Sequence, residues 1–185
     1  MTSPEFFSAT AYRAKVRSPF EYVAAAMRAL NADTDGDRPV LDVIGRMGQP
    51  LFGRITPDGY PDRADVWLSS GTMVARFNFA SALAMNRLKG TRINADSLLA
   101  GVDQANRNMV AEKLTRLTVS GEVASSTRQV LDKVLQTGSA AGPAASTPNV
   151  SVGYDARAQA PPVQPVTYVS ELITLLIGSP EFQKR

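Results

Sequence analysis

The sequence predicts an all-α chain, with about six helices packed around a central apolar helix at residues 70–88. One long Gly/Pro-rich structured loop, 48–68, precedes that helix, and no substantial sheet is expected. Three observations carry this reading. The run Gly71–Met85 is apolar on nearly every side, as a buried helix should be. Ser18-Pro19-Phe20-Glu21 is a strong helix start. Two amphipathic stretches are separated only by Ser120-Gly121, as in an antiparallel helix pair.

Taken in order, Ser3-Pro4-Glu5 offers a cap, a proline where the missing N–H costs nothing, and an acid in the first turn. A second start follows at Ser18, whose hydroxyl can bond the amide of Glu21 while Glu21 returns the bond. Phe20, Val23, Ala24, Met27 and Leu30 recur at helical spacing, which predicts a helix from Pro19 to Asn31. Asn31–Arg38 is polar. Asp33-Thr34-Asp35-Gly36-Asp37 opens like a calcium loop, but no glutamate closes it, so it reads as a solvated connection. Pro39 opens a second helix with Val40, Leu41, Val43, Ile44 and Met47 on its apolar side.

The loop then runs Gly45–Pro61, with Thr56-Pro57-Asp58-Gly59 fitting a type I turn. It passes through Trp67, the only tryptophan, to Ser69-Ser70-Gly71, a cap for the central helix, which Lys89-Gly90 closes. Asn94–Leu99 reads as a helical turn. Ala105, Met109, Val110, Leu114 and Leu117 form a stripe over Asp103–Leu117. Val123, Thr127, Val130, Leu131, Val134 and Leu135 form another up to Gln136. These elements make a helical domain over 1–137. Residues 138–166, dominated by Ala, Gly, Ser and Pro, bury too little to offset their ordering entropy and read as a flexible linker or insertion. Residues 167–185 supply a last helix packing back on the domain, followed by Ser179-Pro180-Glu181-Phe182, which repeats residues 3–6.

Composition narrows the chemistry. With no cysteine and no histidine, disulfides, thiolate nucleophiles, imidazole bases and the usual zinc sites are excluded. Net charge is +3, but Lys and Arg are scattered singly, which gives nucleic-acid binding no support. The start of the chain carries no visible signal peptide, so the compartment is left open, and the apolar runs fall far short of the ~20 residues of a membrane span.

Gly48-Gln49-Pro50-Leu51-Phe52-Gly53, Gly59-Tyr60-Pro61, Trp67 and Val74–Ala80, with Ser-Pro-Glu-Phe at both ends, resemble a bacterial family known only as a domain of unknown function, number eighteen hundred. The similarity covers most of the chain apart from residues 138–166. It implies a largely helical protein, in which this chain corresponds to the C-terminal part of a longer polypeptide. Longer members are often exported, which implies no particular compartment for this chain. Met1 then falls mid-domain, so the chain is expected to be a fragment or a shortened reading frame, whose partner is the missing N-terminal part or which self-associates through exposed apolar surface. The resemblance implies no catalytic residue and no cofactor.

Gln49, Tyr60, Trp67, Arg76 and Asn78 are the candidate site. One reading is architectural: Arg76 and Asn78, polar interruptions in an apolar helix, reach back to hold the loop, Arg76 through Asp58, Asp62 or Asp65. The other is a pocket in which an aromatic platform and a guanidinium bind a carboxylate or phosphate. Asp58, Asp62 and Asp65 are read as solvated acids, and no metal is assigned. The functional expectation is a helical scaffold or partner-binding module. The alternative is the C-terminal half of an enzyme or small-ligand-binding protein with its pocket at residues 48–78; whether the chain is an enzyme is left open.

Overall fold

In a computed structural model, the structure describes residues 4, 8, 13–137 and 168–184. The expected helix start at Ser3-Pro4-Glu5 lies mostly outside the described residues, as does the 138–166 stretch. Eight helices and a pair of two-residue strands are present among the described residues. The predicted all-α class is what the chain adopts.

Helix α1, Pro19–Ala29, begins as its sequence dictates. The Ser18 hydroxyl accepts from the Glu21 amide at 3.4 Å, and the Glu21 carboxylate accepts from the Ser18 amide at 2.9 Å. Tyr22, Val23, Ala26 and Leu30 are buried along one side. The connection that follows is not wholly solvated. Asp33–Thr34 (β1) pairs antiparallel with Thr91–Arg92 (β2), and the Asp35 amide donates to the Gly90 carbonyl at 3.0 Å. Gly90 sits at φ +74°, and a Cβ there would clash with the Asp35 carboxylate. Only glycine fits both conditions.

Helix α2, Arg38–Arg46, is capped by Asp37 and buries Val40 and Ile44. After the loop come α3, Ala64–Trp67, and α4, Ser70–Ala84, the latter capped by the Ser69 hydroxyl on the Thr72 amide at 3.2 Å. Helix α4 stops four residues before the predicted end at Leu88. Asn86 turns left-handed at φ 53°, and its carboxamide bonds both the N–H and the C=O of Ile93, at 2.7 and 3.1 Å. That exchange ends the helix and starts the return to β2.

Helix α5, Ala95–Leu98, is one capped turn. Helix α6, Arg107–Val119, starts later than the predicted Asp103 because Asn106 caps it, accepting from the Met109 amide at 3.2 Å. Ser120, left-handed at φ 58°, ends it. Helix α7, Ser125–Thr137, returns alongside, and Arg107 at the start of α6 donates to the Leu135 carbonyl near the end of α7 at 3.2 Å.

Helix α8, Tyr168–Gly178, lies chiefly against α4 and also packs on α6 and α7. Leu172, Ile173, Leu176 and Ile177 of α8 meet Phe79, Ala80 and Leu83 of α4 in a core completed by Tyr22, Val110 and Leu114. No helix of the described residues is long and apolar enough to cross a membrane.

Candidate functional site

The five predicted site residues fall in three separate places. Gln49, Tyr60 and Trp67 belong to the loop. The Tyr60 hydroxyl donates to the Pro50 carbonyl at 2.6 Å, and the Trp67 indole donates to the Pro61 carbonyl at 3.1 Å. Their rings lie 6.1 Å apart at a tilt of 53°, with the Arg54 guanidinium 5.9 Å from the Tyr60 ring centre. These bonds close the loop on itself, since aromatic side chains with polar tips are buried only when those tips find partners.

The tether to the rest of the protein is at the start of α1. The Gln49 carboxamide oxygen accepts from the Phe20 amide at 2.8 Å, satisfying one of the open donors of the first helical turn. Lys15 bridges Asp62 at 2.7 Å and Glu21 at 3.6 Å. Lys15 carried no signal in the sequence, because an isolated lysine before a helix is ordinarily solvated.

Arg76 does not hold the loop. The acids proposed for it have other partners: Asp58 has Thr56 and Arg54, Asp62 has Lys15, and Asp65 has Arg63 at 2.5 Å. The Thr56 hydroxyl, then the Arg54 charge, holds the Asp58 carboxyl below the usual range, and Arg63 does the same for Asp65. Arg76 instead turns to the opposite side and is 1% exposed. Its guanidinium donates to the Gln183 carboxamide oxygen at 2.5 Å and to the Arg17 carbonyl at 2.7 Å, and stands 4.9 Å from the Tyr22 ring centre.

No carboxylate pairs with it among the described residues, and Nε finds no hydrogen-bond partner. Burial pulls its proton affinity down accordingly. Asn78 cannot join Arg76, because two residues along a helix is a rotation of about 200°. It is exposed to solvent.

Arg76 is thus the centre of a clasp between two distant segments. Val16 and Lys184 form an antiparallel bridge, and the Arg17 amide donates to the Gln183 carbonyl at 2.8 Å. The Arg17 guanidinium donates to the Phe182 carbonyl and stacks 4.6 Å from the Phe182 ring centre. Tyr22 fills the space beneath, edge-on to Phe79 and Phe182, with its hydroxyl 3.1 Å from the Ile177 carbonyl. Burial pushes its phenol well above the ordinary range.

The C-terminal Ser-Pro-Glu-Phe has a role for each side chain but the proline. The Ser179 hydroxyl accepts from the Phe182 amide at 3.3 Å, and Phe182 enters the core. Glu181 accepts from the Ala124 amide at 2.8 Å and the Thr127 hydroxyl at 3.0 Å, capping α7 from another part of the chain. Partial burial raises the Glu181 carboxyl, but these donors outweigh it and hold the group below its ordinary range.

The opposite face of α4 is the third place. Val74 is 59% exposed and Phe77 43%, in mid-helix, with Leu68 and Val66 half-exposed just before it. Phe77 borders Gly178, where an added Cβ would lie 3.3 Å from the ring. A hollow of about 520 Å³ opens between α6 and α7, lined by Thr115, Arg128 and Leu131 among others, and a shallower one of about 610 Å³ opens at the start of α6. None of the five predicted residues lines either. Among the described residues no three acidic side chains converge as metal ligands.

Residues 1–184 match the model of a family described as "Protein of unknown function (DUF1800)". The match includes the 138–166 stretch that the motif resemblance left aside. No curated protein and no solved structure matches the chain.

Proposed function

The chain belongs to this family of proteins of unknown function, and from its own surface we propose that it is a helical scaffold that docks a partner protein through the outer face of α4. The observation that carries the proposal is the exposure of Val74 and Phe77, 59% and 43%, midway along a helix whose other face is core. A soluble helix normally directs polar residues outward, so an apolar ridge there favours a surface meant to be covered. Covering a side chain of this size contributes roughly 1.5–3 kcal/mol when burial is complete, enough for two or three such groups to anchor a partner.

The partner is a protein surface of apolar character: the remainder of a longer polypeptide or a second copy of the chain. Less supports the small-ligand alternative, because the Arg76 guanidinium is buried on Gln183 and Arg17 and the Tyr60 and Trp67 tips are bonded within the loop.

The test is sedimentation velocity on the purified chain and on Val74→Lys, with binding of a solvatochromic dye measured beside it. The reading expects concentration-dependent association and dye binding in the parent, both weakened in the variant, with melting unchanged because Val74 is a surface position and lysine favours helix. A parent that stays monomeric to its solubility limit and binds dye no better than Val74→Lys overturns it.

A further inference from the structure

We propose that the tip of the loop before α3, Phe52 with Ile55, inserts into the headgroup–acyl boundary of a lipid bilayer and anchors the protein peripherally. This concerns a different surface and a different partner from the α4 ridge. Phe52 is 104% exposed and Ile55 99%, so neither side chain touches any other part of the protein.

The backbone holds Phe52 there at a cost. The Gly53 amide donates to the Pro50 carbonyl at 3.0 Å, closing a turn in which Phe52 takes φ +60°. Asn or Asp could gain a local hydrogen bond in that left-handed conformation, but phenylalanine gains none. Gly53 cannot give way, since a Cβ on it would come within 2.9 Å of the Pro50 ring. A bulky apolar residue kept in a strained backbone and pointed into water is a feature that local folding does not explain.

Several of the loop's polar side chains bond within it, Thr56 and Arg54 on Asp58, Tyr60 on Pro50 and Trp67 on Pro61, while Gln49 and Asp62 tie it to Phe20 and Lys15. At the tip Phe52 and Ile55 offer an apolar surface, flanked by the exposed Arg54–Asp58 ion pair. A protein partner would need a preformed cleft for two side chains and would ordinarily be read by hydrogen bonds as well. A lipid interface needs neither, because it moulds to an apolar knob and asks only that polar groups stay at the headgroups.

Arg54 beside Tyr60 stands next to the knob, a cation and an aromatic of the kinds that settle at that level. Because Asp58 offsets Arg54, the attraction is apolar rather than electrostatic, so zwitterionic lipid suffices.

The experiment is co-sedimentation of the full chain with phosphatidylcholine vesicles, with and without phosphatidylserine. It compares the parent, Phe52→Ser/Ile55→Ser, and Val74→Lys. The parent and Val74→Lys should bind both vesicle types alike and independently of salt. The double variant should partition about tenfold more weakly or worse, with melting unchanged. In vesicles with brominated acyl chains, Phe52→Trp should be quenched while the buried Trp67 is not. Absence of binding by the parent, equal binding by the double variant, or an unquenched Phe52→Trp overturns the proposal. So does a lipid-free dimer that only the double variant abolishes, which would make the tip a protein contact. Loss of binding in Val74→Lys alone would assign the lipid contact to the α4 ridge instead.

Discussion

Replacing Arg76 with alanine should destabilise the protein by about 3 kcal/mol. A buried acceptor on Gln183 and a part-buried one on Arg17 would lose their donor, at roughly 1–3 kcal/mol each at most. Truncating a large buried side chain adds packing loss of about 2–5 kcal/mol. Against these stands the several kcal/mol of desolvation that a buried cation lacking a carboxylate partner carries and that truncation removes.

For a chain of this length the remainder corresponds to a fall of roughly 6–12 °C in melting temperature. Arg76→Met, which keeps the stem and removes the charge, should lose markedly less. Calorimetry measures the shift, and hydrogen exchange locates it: protection should fall at residues 13–18 and 179–184 and hold at 48–63. A Gln183→Ala cycle should return a coupling of about 1–3 kcal/mol. If Arg76→Ala melts within about 1 kcal/mol of the parent, or if it is the 48–63 loop that opens, the clasp is not what Arg76 holds.

Gly90→Ala should cost about 2 kcal/mol or more in a denaturant titration, since a left-handed backbone is strained for alanine and the new methyl displaces the Asp35 carboxylate. Ser18→Ala should cost about 1 kcal/mol by removing the cap of α1, seen as a lower melting temperature. For Glu181 the folded carboxyl is held below its unfolded value, so its contribution is present above the ordinary glutamate range and disappears as pH falls through the folded value. Glu181→Gln should therefore be less stable than the parent at neutral pH, by about 0.5–1 kcal/mol given the group's partial exposure. The two melting curves should converge in acid.

What could be read from the sequence was local. The capping box at Ser18, the serine cap of α4 and the Ser120-Gly121 break between α6 and α7 each rest on residues within four positions of one another, so their chemistry shows in the string of letters. Helical periodicity also identified α1, α2, α6 and α8 in kind. Arg76 was recognised as a group needing buried partners, but not whose they were. Gln183 lies 107 residues away, and three nearer acids made a plausible but wrong choice.

The pairing of β1 with β2 was illegible for the same reason, since two residues at each end set no period. In α4 the apolar run was itself the obstacle. A helix greasy on every side gives no clue to which face meets the core, and Val74 and Phe77 read like Phe79 and Leu83 until α8 is in place.

The bridge between Val16 and Lys184 also sets how the protein answers to tension. The chain enters the antiparallel contact at Val16 and leaves it at Lys184 from the same side, so a pull on the flanking segments peels the pairing open one bond at a time. Tension from the N-terminal side reaches Arg13 first, whose guanidinium bonds the Val119 and Glu122 carbonyls at and just beyond the end of α6, and then the bridge with Arg76 at its root. A tether spliced to either end would find a weak first barrier followed by a stiffer body, a two-step extension trace that a force spectrometer would resolve.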